Sequence, residues 1–539
     1  MLRTFKIACL LFSAVLIGGT AGAVTSGDLV VFSDSLANLP SALAERPDLT
    51  HYYDTLHFKI HYETEGEYAV YHADEDIAPP DGVPDYINRM GEFLEQSWSV
   101  YIDQSDFDIP PPDDGLGGDN RYDIYVMDIA GLTVPDYPSD YYPERIAYTA
   151  FSYIGNDLRN AHHPDDPYPF LKATCAHEFF HAIQMAYRVG LDDPSLWWIE
   201  LTANWGEERV FDDLNEVYYY LPDYYLKINR SIYRTGGSHM YGAWVWAEYL
   251  SQNYDVDFVK KVFEKLIHLD NSLDAIKAAF DFSQPEFDLE FTRYGIWNFF
   301  TFYNAQPGFF EEAYDFPATV PLARVHYYYP TNWVDSPQRV ENLGLAYIYF
   351  ANPGYNKSDL RIDFRADEVY PIGVGLAAIY SGGQVEVSQY NLEPGEQTQL
   401  WVRQFNHCRG ALMCVDWRYQ HSDSDDSAGY SYNAELDTLM TGIASDDTNQ
   451  PRQFELKGNF PNPFNLSSNI IFYWNSRPVD YKISIYDIKG ALVRQLTGQA
   501  AAGENTVTWK ADPETASGLY LYKLTVGDES AGGRMMLLK

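Results

Sequence analysis

A multidomain α+β architecture is what this sequence predicts: a mixed N-terminal part, a helical half, a β-sandwich and a second small β unit. Three observations carry that expectation. The chain has 539 residues, more than one hydrophobic core accommodates, since single cores stop growing at roughly 250–300 residues. Its apolar pattern turns helical near residue 166 and becomes short alternating strands near residue 330. Its hydrophobic share is 46%, with 16% aromatic, which fills packed cores and excludes a disordered chain.

The elements follow in chain order. Arg3 and Lys6 precede the apolar run IACLLFSAVLIGG, and Ala21-Gly22-Ala23 supplies a small-residue cleavage site before Val24, so residues 1–23 read as an export signal. That run is short for a bilayer, and the mature chain is expected to have no transmembrane segment. Residues 24–165 are acidic and mixed: LHFKIHYET (56–64) alternates like a strand, VPDYINRMGEFLEQSWSVYI (83–102) is apolar at helical spacing, and NRYDIYVMDIAG (120–131) alternates again. Residues 166–305 are dominated by helical runs such as FLKATCAHEFFHAIQMAYR and LWWIELTANWGEERVF. Residues 330–442 read as a β-sandwich of Tyr-, Val- and Ile-rich strands, with SDSDDSAG (422–429) as an internal loop. IASDDTNQPRQ (443–453) reads as a linker, and 454–539 as a second β unit with turns at Lys489-Gly490 and Ser517-Gly518.

Acidic residues number 77 against 37 basic, a net charge of -40. That charge repels nucleic acid and anionic lipid and excludes both as partners. It suits calcium capture. DEDIAPPDGVPDY spaces Asp74, Asp76, Asp81 and Asp85 to share one hard cation, with a solvated acidic loop as the plainer alternative. Of four cysteines, Cys9 leaves with the signal, Cys408 and Cys414 are close enough in sequence to suggest a disulfide, and Cys175 reads as a small apolar packer.

CAHEFFHAIQ (175–184) carries the chemistry. On a helix, His177 and His181 leave the same face and can grip one ion. Glu178 is turned about 100° from His177, beside the ion, where a carboxylate polarises water. A catalytic zinc needs a third protein ligand. Gln184 and Tyr187 occupy the positions where metzincin spacing requires Gly and His, so that pattern is excluded. Glu200 lies nineteen residues beyond His181, on a second helix expected to start with Asp193 as N-cap and Pro194 as first helical residue. Asp192 and Asp193 are rival aspartate ligands; Glu207 and Glu208 are rival ligands or surface charges. Asn204, one turn after Glu200, can accept an imidazole N–H through its amide oxygen. His239 and Tyr241 are the candidate donors to a developing oxyanion, Tyr241 slightly preferred.

HEFFHAIQ followed by WWIELTANWGEE resembles the gluzincin metallopeptidases, in particular a bacterial group of secreted multidomain chains. The segments DEDIAPPDGVPDYINRMGEFLEQSW (74–98) and PPPDDGLGGDNRYDIYVMD (110–128) extend the resemblance over residues 50–300. It implies a zincin-like metallopeptidase domain with a helical active-site half, zinc on His177, His181 and Glu200, and Glu178 as general base. Asn204 departs from the carboxylate that better-known gluzincins carry there. At the C-terminus, FELKGNFPNPFNLSSNIIFYW, YKISIYDIKGALVRQL, AGENTVTWKA, ASGLYLYKLTVG and GGRMMLLK resemble the type IX secretion sorting domain. That resemblance implies an immunoglobulin-like β-sandwich, the type IX machinery as partner, and a secreted or cell-surface location.

The resulting expectation is a secreted zinc metalloendopeptidase that hydrolyses a protein or peptide substrate by Glu178-assisted attack of zinc-bound water. The alternative is a cell-surface binding or adhesion protein whose zinc site is degenerate or structural. A structural site needs neither Glu178 nor an open coordination position. No G-x-M-E-N run occurs, which disfavours an aminopeptidase.

Overall fold

A computed structural model describes residues 46–188, 195–235, 237–254, 257–280, 282–354, 359–419, 426–437, 454–460, 467–474, 476–487, 491–512, 515–516, 518–527 and 529–537. The export signal with Cys9, Asp192, Asp193, Pro194, the 443–453 linker, residues 422–425 of the expected 422–429 loop, and Lys489, Gly490 and Ser517 lie outside these residues.

The N-terminal part builds one five-stranded sheet. Its elements are β1 (His51–Asp54), β2 (Phe58–Tyr62), helix α1 (Asp85–Trp98), β3 (Tyr122–Met127), β4 (Gly131–Ser139) and β5 (Ala147–Gly155), in the order β1-β2-β3-β5-β4. The pairs β2–β3 and β3–β5 are parallel, while β4 runs antiparallel at the edge. Every residue of the inner strand β5 is buried, as expected for a strand covered on both faces. Pro135 and Pro138 are tolerated in β4 because an outer strand owes no ladder hydrogen bond on its open side. The run expected as one strand over 120–131 breaks after Met127, and Gly131 opens β4 instead.

The helical half contains α2 (Tyr168–Tyr187), α3 (Leu196–Val210), α4 (Leu221–Leu226), α5 (His239–Gly242), α6 (Trp244–Asn253), α7 (Phe258–Leu266), α8 (Ser272–Phe280) and α9 (Gln284–Phe299). From Ala173 to Tyr187 every residue of α2 is buried, and from Leu196 to Glu208 every residue of α3. Helices buried all round belong to the centre of a domain. Among the described residues helix α3 runs from Leu196, with Ser195 before it; Asp193 and Pro194, expected to start it, lie outside them. Ser195 Oγ accepts the Ser272 amide at 3.0 Å, so that residue joins two helix starts.

The expected sandwich is present. Its strands are β6 (Arg324–His326), β7 (Val334–Asp335), β8 (Leu345–Ala351), β9 (Asp359–Ala366), β10 (Ile372–Tyr380), β11 (Val385–Leu392), β12 (Gln397–Val402), β13 (Cys408–Trp417) and β14 (Tyr430–Asp437). They form sheets β11-β10-β13-β8-β6 and β12-β9-β14-β7. The sandwich is not a separate body: residues up to Thr438 form one compact unit. Leu345, Tyr347, Leu412 and Cys414 join the same core as α2 and α3. Helix α9 makes the join. Tyr347 donates to the Gly295 carbonyl at 2.9 Å, Thr292 to Asp416 Oδ2 at 2.7 Å, and Arg418 Nε to Asp288 Oδ2 at 2.8 Å. Gly375 permits the close approach, because a Cβ there would stand 2.7 Å from Ile296 Cδ1.

Cys408 and Cys414 do not form the expected disulfide; both are free and buried. They lie six residues apart on one strand, β13, about 20 Å along an extended backbone. Cys175 is buried in α2, as a packing residue should be.

Residues from Leu439 onward form a second compact unit with β15 (Phe454–Phe460), β16 (Ser467–Trp474), β17 (Val479–Asp487), β18 (Leu492–Ala500), β19 (Gly503–Lys510), β20 (Gly518–Val526) and β21 (Glu529–Leu537). Sheets β15-β16-β19 and β18-β17-β20-β21 enclose a core of Ile470, Phe472, Ile483, Ile485, Trp509, Leu524 and Val526. Strand β16 alternates buried and half-buried residues along its whole length. Among the described residues no helix is long and apolar enough to cross a membrane.

Candidate metal centre

His177 and His181 sit one turn apart on α2, and their Nε2 atoms are 3.0 Å from each other. Glu200 of α3 brings Oε2 to 3.7 Å from His177 Nε2 and 3.8 Å from His181 Nε2. Two nitrogens each 2.0–2.1 Å from a tetrahedral zinc lie about 3.3 Å apart. The three donors therefore already stand within a few tenths of an ångström of a shared coordination sphere. All three residues are buried.

The other ring nitrogens are held. His177 Nδ1 lies 2.7 Å from Glu207 Oε1, and His181 Nδ1 lies 2.8 Å from Gln184 Oε1. Gln184 is fixed in turn, donating Nε2 to the Ile199 carbonyl at 2.9 Å and to Thr202 Oγ1 at 3.0 Å. With each Nδ1 engaged by an acceptor, both Nε2 atoms face inward, the arrangement of metal-ligating histidines. The donor set fits a zinc ion.

The electrostatics agree. Burial works against a charge on His177, but its bonds to Glu200 and Glu207 outweigh that and raise its pKa to about 10. The carboxylates thus favour positive charge at this spot, and a proton on His177 competes with a cation for it. Burial lowers the pKa of His181 to about 4, leaving a neutral ring.

Glu178 is not part of the three-ligand cluster. Its Oε2 accepts from Thr133 Oγ1 of β4 at 2.7 Å. Its Oε1 lies against Gly131, where a Cβ would approach to 2.4 Å, so only glycine leaves room for this carboxylate. Burial, opposed by the His177 charge, raises its pKa to about 8.

Several expectations change. Asn204 does not orient a ligand; its Nδ2 donates to the Tyr241 carbonyl at 3.1 Å and ties α3 to α5. Glu207 takes the orienting role instead. Neither Glu207 nor Glu208 is a surface charge, both being buried. His239 is buried, donates Nε2 to the Ser231 carbonyl at 3.0 Å, and has its pKa lowered to about 4 by burial. Tyr241 is buried with its ring 5.2 Å from that of Tyr220. Tyr220 was missed in the sequence. Its phenol is pushed towards higher pKa by burial and by the charges of Glu207, Glu216 and Glu200.

Asp74, Asp76, Asp81 and Asp85 do not converge. Asp76 accepts the Asp81 and Gly82 amides at 2.9 Å each, Asp81 accepts the Val83 amide at 3.0 Å, and Asp85 accepts the Ile77 and Ala78 amides at 2.9 and 3.0 Å. Asp76, Asp81 and Asp85 hold the loop, and the four aspartates form no common cluster among the described residues.

Glu207 and Gln184 were legible in principle. Glu207 is seven residues beyond Glu200 and Gln184 three beyond His181, and both spacings return to the same helix face.

Two segments match known families. Residues 166–334 match a family of unknown function, DUF6055. Residues 459–537 match the secretion system C-terminal sorting domain. The protein is exported. Secretion or cell-surface attachment is its destination, and the type IX machinery its export partner. No curated protein matches the chain. Among solved structures, it is similar to dimeric latent PorU from Porphyromonas gingivalis at 12% identity, over 33% of this chain and 29% of that one, with a TM-score of 0.15. A GH2 beta-galacturonidase from Eisenbergiella tayi gives 12% identity, 35% and 35% coverage, and a TM-score of 0.14. A Parabacteroides merdae beta-glucuronidase gives 15%, 45% and 33%, and 0.15. The chain spans about a third of the length of these structures.

Proposed function

We propose that this is a secreted zinc-dependent metallopeptidase, its catalytic unit zincin-like and its ligand set of the gluzincin type. The observation that carries the proposal is the convergence of His177 Nε2, His181 Nε2 and Glu200 Oε2, with both Nδ1 atoms anchored. His177, His181 and Glu200 would hold the zinc, which when bound supplies a Lewis acid and lowers the pKa of water towards neutrality.

The protein's own groups divide the remaining work. Glu207 and Gln184 fix the imidazoles. Glu178, clamped by Thr133 against Gly131 and poised near neutral pH, takes a proton from the attacking water and returns it to the leaving amine. Tyr220, whose phenol feels the charges of Glu207 and Glu200, and Tyr241, its ring 5.2 Å away, supply the candidate donors for the developing oxyanion. Strand β4 has β5 on one side and no strand on the other among the described residues. An extended peptide can add to such an edge, and Thr133 in β4 places that edge beside Glu178.

The test is hydrolysis of unfolded protein by the zinc-loaded chain, read beside zinc content. Hydrolysis abolished by chelation, restored by zinc, and lost in Glu178→Gln with zinc retained is the expected result. Zinc-loaded protein that cleaves no peptide bond, or Glu178→Gln at full activity, overturns the reading.

A further inference from the structure

Helix α3 carries a second group of carboxylates beyond those at the candidate zinc centre. Glu208 in its last turn, Asp212 just past its end and Glu312 from the segment after α9 bring ligand oxygens within 4.8 Å of one another. Glu208 is 7% exposed, and its Oε1 has no hydrogen-bond partner. Asp212 is exposed and Glu312 half-buried, so the cluster opens to solvent on one side. Tyr218 donates its hydroxyl to Glu312. Among the described residues no lysine or arginine pairs with any of the three.

Such a group is unstable as it stands. A buried carboxylate wants a hydrogen bond or a counter-ion, and the charged groups that act most on Glu208 are other carboxylates. Burial first, then Glu312, Glu207, Glu248 and Asp212, push its pKa to about 9. The negative end of the α3 dipole lies at this same turn. Arg209 lies in this neighbourhood and lowers the pKa of Glu248.

We infer that Glu208, Asp212 and Glu312 form a calcium site. The donors are all carboxylate oxygens, the set a hard cation selects. No His or Cys joins them, so zinc and softer metals are disfavoured. Three carboxylates offer up to six oxygens, and the open side leaves room for water, as calcium's six- to eight-fold coordination requires. Bound there, the cation bridges the end of α3 to the segment carrying Glu312. It pins the helix that presents Glu200 and Glu207, eight and one residues before Glu208. The inference stands without the peptidase reading.

The experiment uses the full chain loaded with zinc and stripped of calcium. Terbium is titrated under excitation of tyrosine and tryptophan; Tyr218, bonded to Glu312 and stacked 5.7 Å from Trp244, is the built-in sensitiser. Sensitised emission that saturates, is displaced by calcium more readily than by magnesium, and weakens at least about tenfold in Asp212→Asn and in Glu312→Gln is expected. Calcium should also raise the melting temperature of the parent and not of these variants. Because Asp212 is exposed, its substitution leaves packing intact. Absence of emission together with a calcium-independent melting temperature overturns the inference. So does emission unchanged in both variants but abolished in Asp76→Asn, which would place the ion in the 74–85 loop.

Discussion

Residues 74–85 carry Asp74, Asp76, Asp81 and Asp85 on a loop, while residues 200–212 carry Glu200, Glu207, Glu208 and Asp212 on and just beyond a buried helix. By composition both stretches are acid-rich, the first with Glu75 as well and the second with Arg209 among its carboxylates. In the loop, backbone amides lie unclaimed within reach, and the aspartates accept them. In α3 the helix has already used its amides, so a carboxylate there finds no local donor and must reach across space. Glu207 reaches an imidazole, Glu200 reaches two, and Glu208 reaches other carboxylates. A cation site therefore follows from what a carboxylate has nothing else to bond, more than from how many carboxylates a stretch contains.

That contrast can be broken most directly at Glu200. Glu200→Ala should reduce zinc per chain to background, whereas Asp76→Ala in the loop should leave it intact; metal analysis of the two purified variants decides. Glu207→Ala should weaken zinc binding about 10–100-fold through the freed His177 ring. Asn204→Ala should leave zinc affinity unchanged and cost about 1 kcal/mol of stability, the worth of its bond to the Tyr241 carbonyl. Competition with a chromogenic chelator and thermal melting measure both.

Asp416 sharpens the comparison with a third kind of carboxylate, buried with a hydroxyl donor from Thr292. Burial, opposed by that bond, raises its folded pKa to about 7 from 3.8. The folded state then binds the extra proton, so its stabilisation is complete below about pH 4 and is lost as pH rises through 7. Asp416→Asn should remove that slope and stabilise the protein at pH 8 by up to about 4 kcal/mol, read by denaturant unfolding across pH.

The smallest effect belongs to Asp85. Its backbone bonds to Ala78 and Ile77 lower its pKa, so its contribution is present above the unfolded value and fades as pH falls. Asp85→Asn should melt slightly lower at pH 7, with the gap closing below about pH 3.

Much of the centre was legible because α2 and α3 obey local rules. An uninterrupted run without Pro or Gly gave the helix, and a four-residue spacing put His177 and His181 on one face. Glu200 needed only a second helix at the right distance. What escaped was set by tertiary contact. Asn204 was assigned by its one-turn offset from Glu200, yet the ring it was meant to hold is met by Glu207 on the same face. Cys408 and Cys414 looked paired by proximity in sequence, which on a strand means separation in space. The seam between α9 and β10 has no signature, since neither Gly375 nor Ile296 announces the other.

That seam separates what can be shuffled from what cannot. The match to the family of unknown function stops at residue 334, yet the folding unit runs on to Thr438. A gene fragment ending at 334 would inherit α9 with Ile296 facing water and Asp288 deprived of Arg418. The helical half and the sandwich therefore fold as one piece. The C-terminal unit, closed around its own Trp509 and Phe472, is free to be joined to other cargo.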